Sequence, residues 1–195
     1  MDRVELKNLA KQQIKGNIGT LFLMMLVIAG IFALANLIPV AGSLATVFVI
    51  TPAFSIALVI VYLKLAQGIN PDLKELFAHF DKFWGAFKVS FFVGLFTALW
   101  SLLLVIPGII KAYSYSMSMY ILAENPEIGA LEAINRSKAM MNGHKMELFV
   151  LELSFIGWYL LCAITFGIAG VWVFPYMSAT FANFYNKIKN QPEVI

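Results

Sequence analysis

Cysteine is almost missing from this sequence of 195 residues, with Cys162 the single copy. No disulfide scaffold is possible within one chain, and no cysteine-rich metal site can form. Charge is scarce too, at 13% of residues against 61% hydrophobic ones. A soluble domain carries roughly a quarter charged residues, and a chain this small could not cover its surface with half that supply. Disorder requires the opposite composition. With a mean hydropathy of +0.81, the remaining class is a membrane protein.

The charge-free stretches set the architecture. Residues 16–63 contain no Asp, Glu, Lys or Arg. One crossing takes about 20 apolar residues, so this run predicts crossings at about 20–38 and 44–63 around the turn Pro39-Val40-Ala41-Gly42-Ser43. Residues 89–123 are interrupted only by Lys111, after Pro107-Gly108, and 148–186 only by Glu152, with a turn near Thr165–Gly170. The fold class is therefore all-α: a polytopic transmembrane bundle of about six crossings arranged as three hairpins, joined by cytoplasmic amphipathic helices. The short, Ser- and Tyr-rich fourth crossing, near 109–123, is the weakest. With six crossings, every basic residue except Lys111 falls on the cytoplasmic side, together with both termini, as the positive-inside rule requires. Ala33-Leu34-Ala35 looks like a cleavage site after a basic start, but the apolar run continues past it and the first helix is read as retained.

Internal repetition is legible as well. Pro52-x-x-Ser55-x6-Tyr62-x-Lys64 recurs as Pro175-x-x-Ser178-x6-Tyr185-x-Lys187, and Asn70-Pro71-Asp72 as Asn125-Pro126-Glu127. One membrane domain, 1–195, would then contain pseudo-repeats at 1–64, 70–123 and 125–189, with Glu5–Gly16 opening the first. Asn suits a helix N-cap and Pro the first helical position, so helices are expected to start at Asn70 and Asn125. The alternative is chance recurrence of interface-loving Tyr and Lys. In 72–88, Leu73, Leu76, Phe77, Phe80, Phe83, Trp84 and Phe87 recur at three- and four-residue spacing, predicting an amphipathic helix with mixed charge on its other face. Such a helix either senses lipids or partners, or covers the base of a hairpin.

The block Val105-Ile-Pro-Gly-Ile-Ile-Lys-Ala-Tyr-Ser-Tyr115, with Tyr120-Ile-Leu-Ala-Glu-Asn-Pro126, Ala133-Ile-Asn-Arg-Ser137, Asn142-Gly-His-Lys145 and Leu153-Ser-Phe-Ile-Gly-Trp158, resembles the bacterial integral-membrane family known as domain of unknown function 975. The resemblance extends over nearly the whole chain, including Glu5-Leu6-Lys7. It implies a multi-pass protein of the bacterial cytoplasmic membrane and brings no activity, ligand or partner.

Chemistry is sparse. No Gly-rich phosphate loop is present, so no nucleotide partner is expected. The scattered basic residues serve topology, so no nucleic acid is expected either. His79 and His144 lie in separate segments without cysteine nearby, and no cofactor, metal or catalytic group is anticipated. Glu147 and Glu152 are five residues apart, off each other's helical face.

Two features remain. Lys111, Ser114, Tyr115 and Ser118 share one face of the fourth crossing, and Glu152 lies about one turn inside the fifth. Ionisable groups at membrane depth often line a pathway. The other readings are a snorkelling lysine, serines that permit close packing, and a shallow glutamate paired with Lys145 or Lys88. Arg136, His144, Lys145 and Trp84 are the candidate cytoplasmic contact residues. Two functions follow: a non-enzymatic protein acting through membrane lipids or another membrane protein in envelope maintenance, or a small transporter or export and immunity factor with a polar path. A polar, hydrated interior favours the second, a packed apolar interior the first.

Overall fold

A computed structural model describes every residue except Met1, Pro39 and 191–195. The described residues are helical, with no strand. Helix α1 (Arg3–Ile14) opens on Asp2, whose carboxylate accepts the Val4 and Glu5 amides at 2.9 and 3.4 Å. Leu6, Ala10 and Ile14 recur every four residues and are buried, which lays α1 along α11 (Gly170–Lys189).

The first apolar run gives α2 (Ile18–Ala35), then α3 (Ala41–Ala45), a π-helical turn (Thr46–Ile50) and α4 (Thr51–Ala66) as one rod. The turn falls where the Pro–Gly signal places it, although Pro39 lies outside the described residues. Gly42 is required there, because a Cβ would meet the Ala35 carbonyl oxygen at 1.8 Å. Four stretches are long and apolar enough to cross a membrane: Ile18–Ala35, Ala41–Ala66, Leu73–Leu103 and Lys145–Ile164. Only 11% of the first and 39% of the second is buried inside the protein. An apolar exterior of that extent suggests a membrane surrounding. Helices α6 (Val105–Tyr115) and α7 (Ser118–Glu124) and the C-terminal α11 fall outside these four.

The expected amphipathic helix over 72–88 is not formed. Two short 3-10 turns, Leu73–Leu76 and Phe80–Lys82, precede α5 (Phe83–Leu103). Asp72, not Asn70, is the cap, accepting the Lys74 amide at 3.0 Å. In this tighter winding Phe77 and Phe80 stack at 6.2 Å and both meet Phe54 edge-on, while Glu75 turns back to Lys64. Tertiary contacts with α4 replace the continuous helix. Asn125 likewise ends α7, donating to the Ile121 carbonyl, and α8 (Ala130–Met140) starts after Gly129.

The fifth stretch divides into α9 (Lys145–Leu153) and α10 (Ile156–Ile164). Helix α10 ends in a left-handed Phe166–Gly167 pair, and the Gly167 amide reaches back to the Cys162 carbonyl at 2.7 Å. The core sits where α4, α7 and α11 meet. Tyr62 and Tyr185, the matched tyrosines of the two Pro-Ser-Tyr-Lys segments, are both buried there, and Tyr185 stacks on Tyr120 at 5.3 Å. Their partners differ: Tyr62 shares a hydrogen bond with Ser178, while Tyr185 donates to Glu124.

Candidate functional site

Polar groups in the fourth segment turn inward. Leu104 alone is extended between α5 and α6, so Pro107 falls in the first turn of α6, where its missing amide costs nothing, rather than at a hairpin tip. Gly108 lies against Ser101, whose Oγ a Cβ would approach to 2.1 Å. Ser114 donates to the Ile110 carbonyl, Ser116 to Tyr113 and Ser118 to Tyr115, at 2.7–2.9 Å. All three hydroxyls are spent on carbonyls of α6, that of Ser118 from across the start of α7.

The rod breaks at Ser116–Met117, between α6 and α7. Ser137 of α8 repairs the break: its buried hydroxyl donates to the Ser114 carbonyl at 2.8 Å and accepts the Met117 amide at 3.1 Å. Of the face read from sequence, Ser114, Tyr115 and Ser118 are buried together. Lys111 stands apart from them, with Nζ 4.6 Å from the centroid of the Trp100 ring on α5. Trp100 also shares a hydrogen bond with Tyr115.

The second break lies at Ser154–Phe155, between α9 and α10. The Trp158 amide bonds to Phe155, which releases the Ser154 carbonyl. Lys7 of α1 takes it up, with Nζ at 2.9 Å from that oxygen and 4.2 Å from the centroid of the fully buried Phe155 ring. A cation suits this position, the negative end of the α9 dipole. Burial pushes the Lys7 ammonium below the usual lysine range, and repulsion from Arg3 and Lys11 pushes the same way.

Glu152 sits just before that break. Its partner is neither Lys145 nor Lys88: the Tyr113 hydroxyl donates to Oε2 at 2.5 Å. Tyr113 meets Phe149 edge-on at 5.9 Å, and a groove of about 250 Å³ lies between Tyr113, Phe149, Glu152, Leu153, Ile156 and Tyr159. The fourth and fifth segments thus meet at a half-buried carboxylate, and Lys111 is not part of that meeting.

The four candidate contact residues are dispersed. Trp84 is exposed in the first turn of α5, against Phe83 and Phe87. Arg136 pairs with Glu132 on the surface of α8 at 2.8 Å. His144 precedes α9 and contacts Glu147 at 2.7 Å, and Lys145 begins that helix. Elsewhere Lys64 pairs with Glu75 at 2.7 Å, and His79 lies 3.4 Å from the same carboxylate. Burial alone would raise the Glu75 carboxyl, but Lys64 and His79 outweigh it and hold it below the usual range. Gln13 and Asn183 exchange hydrogen bonds at 3.1 and 2.7 Å, joining α1 to α11.

Sequence reasoning missed Ser137, Lys7 and Tyr113. Nothing in the spacing marks Tyr113, one of several tyrosines within the apolar runs. Among the described residues, no three His, Cys, Asp or Glu side chains gather into a metal site.

Four helical stretches long and apolar enough to cross a membrane suggest a membrane protein by architecture, and no activity follows from it. The family model described as protein of unknown function DUF975 matches residues 1–114 and 101–192, and the chain belongs to that family. No curated protein and no solved structure matches it.

Proposed function

We propose that the chain is a non-enzymatic, multi-pass protein of the bacterial cytoplasmic membrane that acts through contacts with lipids in maintaining the envelope. In this reading α6–α7, α9–α10 and α11 complete six crossings as three hairpins, with both termini cytoplasmic. One observation carries it: the buried hydroxyls of Ser114 and Ser118 are both bonded to carbonyls of α6, and Ser137 satisfies the backbone at the break between them. A water path needs unspent polar groups facing a lumen; these serines supply packing instead. The carboxylate that does stay open, Glu152, faces a lateral groove lined by apolar and aromatic side chains. A transporter with Lys111 and the serines along its path is the rival.

Single cysteines in a Cys162→Ser background test both topology and path. Residues 43 and 169 should react with an impermeant maleimide from outside intact cells, and residues 142 and 190 should not. Cysteines at 114 and 118 should resist small water-soluble thiol reagents from either side. Labelling at 142 from outside would remove the six-crossing topology; labelling at 118 from water would favour transport.

A further inference from the structure

From the Tyr113–Glu152 groove we infer a binding site for the ammonium headgroup of a membrane amphiphile, with its chain lying in the bilayer. The inference rests on the lipid-contact reading and names the headgroup chemistry. Glu152 has one oxygen bonded to Tyr113, and Oε1 accepts no hydrogen bond from a described residue. No described Lys, Arg or His lies within ion-pair distance of it. Lys7, which approaches Ser154 two residues away, is held by that carbonyl and the Phe155 ring. Among the described residues the Glu152 carboxyl therefore has no basic group paired with it.

Three aromatic rings surround it. Tyr113 and Phe149 meet at 89°, so one presents an edge and the other a face, and Tyr159 completes the wall. A carboxylate beside π faces is the recognition chemistry of alkylammonium groups. A divalent cation would need several more oxygen ligands than one carboxylate and two phenols provide. Anionic headgroups are disfavoured beside a carboxyl, and a neutral hydroxyl can donate to the open oxygen but brings no cation for the surrounding rings.

Depth and size agree with an amphiphile. Glu152 is seven residues beyond Lys145, or about 10 Å along a helix, which is headgroup depth for a segment entering at α9. The groove holds about 250 Å³, below the ~300 Å³ of the smallest drug-sized pockets. It takes a headgroup and the first carbons of a chain, not a whole lipid. Its rim, Leu153 and Ile156, is exposed and apolar, so the rest of the chain continues into hydrocarbon.

The test uses the full-length protein in phosphatidylglycerol nanodiscs. Diazirine-bearing hexadecylammonium, hexadecanol and hexadecyl sulfate are photo-crosslinked in turn, and the labelled residues are mapped. The ammonium probe should label residues 149–159 and Tyr113 about tenfold more than either other probe, within the range of a desolvated cation–π and charge contact. Glu152→Gln should remove that preference. Exposed Tyr159→Leu should reduce it about threefold without altering thermal stability, so the claim survives a Glu152 variant that fails to fold. Equal labelling by all three probes, or a preference that persists in folded Glu152→Gln, overturns the site. Complete competition by water-soluble tetramethylammonium overturns the membrane source. Neither result bears on the reactivity of residue 118, which decides the transport question separately.

Discussion

The fourth and fifth segments are broken in the same way and closed in opposite ways. At Ser116–Met117 a neutral hydroxyl, Ser137, serves a carbonyl and an amide at once and is sealed from solvent. At Ser154–Phe155 a cation, Lys7, serves one carbonyl, with Glu152 two residues before it in an open groove. Irregular backbone survives in a membrane only where something satisfies it. A hydroxyl does so with no charge to compensate, giving a fixed joint; an ammonium brings a charge and a titration with it.

The largest effect should come from removing the neutral closure. Ser137→Ala strands the Ser114 carbonyl and the Met117 amide in the core, at a cost of about 2–4 kcal/mol. Denaturant titration in micelles reads it directly, and a loss below 0.5 kcal/mol would mean the break is satisfied otherwise. Lys7→Met loses one charge-assisted bond at a less enclosed place, costing about 1–3 kcal/mol. The double variant should be additive within about 0.5 kcal/mol if the two closures are independent.

Titration separates them further. Because the folded state lowers the Lys7 value, the unfolded chain binds more protons between that value and the ordinary lysine range. Stability should therefore rise with pH across that alkaline window, and Lys7→Met should remove the rise, while Ser137→Ala leaves it intact. The smallest effect concerns Glu75. Its lowered value gives stability that is present above the ordinary glutamate range and lost as pH falls through the folded value. Amide exchange over 73–82 should quicken in acid, and Glu75→Gln should make it independent of acid.

The hydrophobic runs located α2, the α3–α4 rod and the turns near Gly42 and Gly167, because hydropathy and turn chemistry are local properties. Residues 72–88 misled for a local reason too: Phe77 and Phe80 at i, i+3 suit an α-helix and a 3-10 turn equally. Contacts with Phe54 and Lys64 decided between them, and spacing does not encode those. The breaks were invisible because their closures come from afar, Lys7 from 147 residues away and Ser137 from 23. Glu152 stood out as an ionisable residue in an apolar run, but its partner Tyr113 is 39 positions distant and looks like any interfacial tyrosine. Lys111 stands out in the sequence as the one cation of its apolar run, but spacing does not indicate that Trp100, on the preceding helix, receives it.

The exchange of hydrogen bonds between Gln13 and Asn183 spans 170 positions of chain, which has a consequence for biogenesis. At ~5–20 residues per second, ribosomal synthesis separates those partners by roughly 10–35 s. Throughout that interval α1 has emerged without the surface it finally covers, and Lys7 has no carbonyl to hold. Docking of α1 against α11 is therefore a late step of assembly, although α1 is made long before its partner.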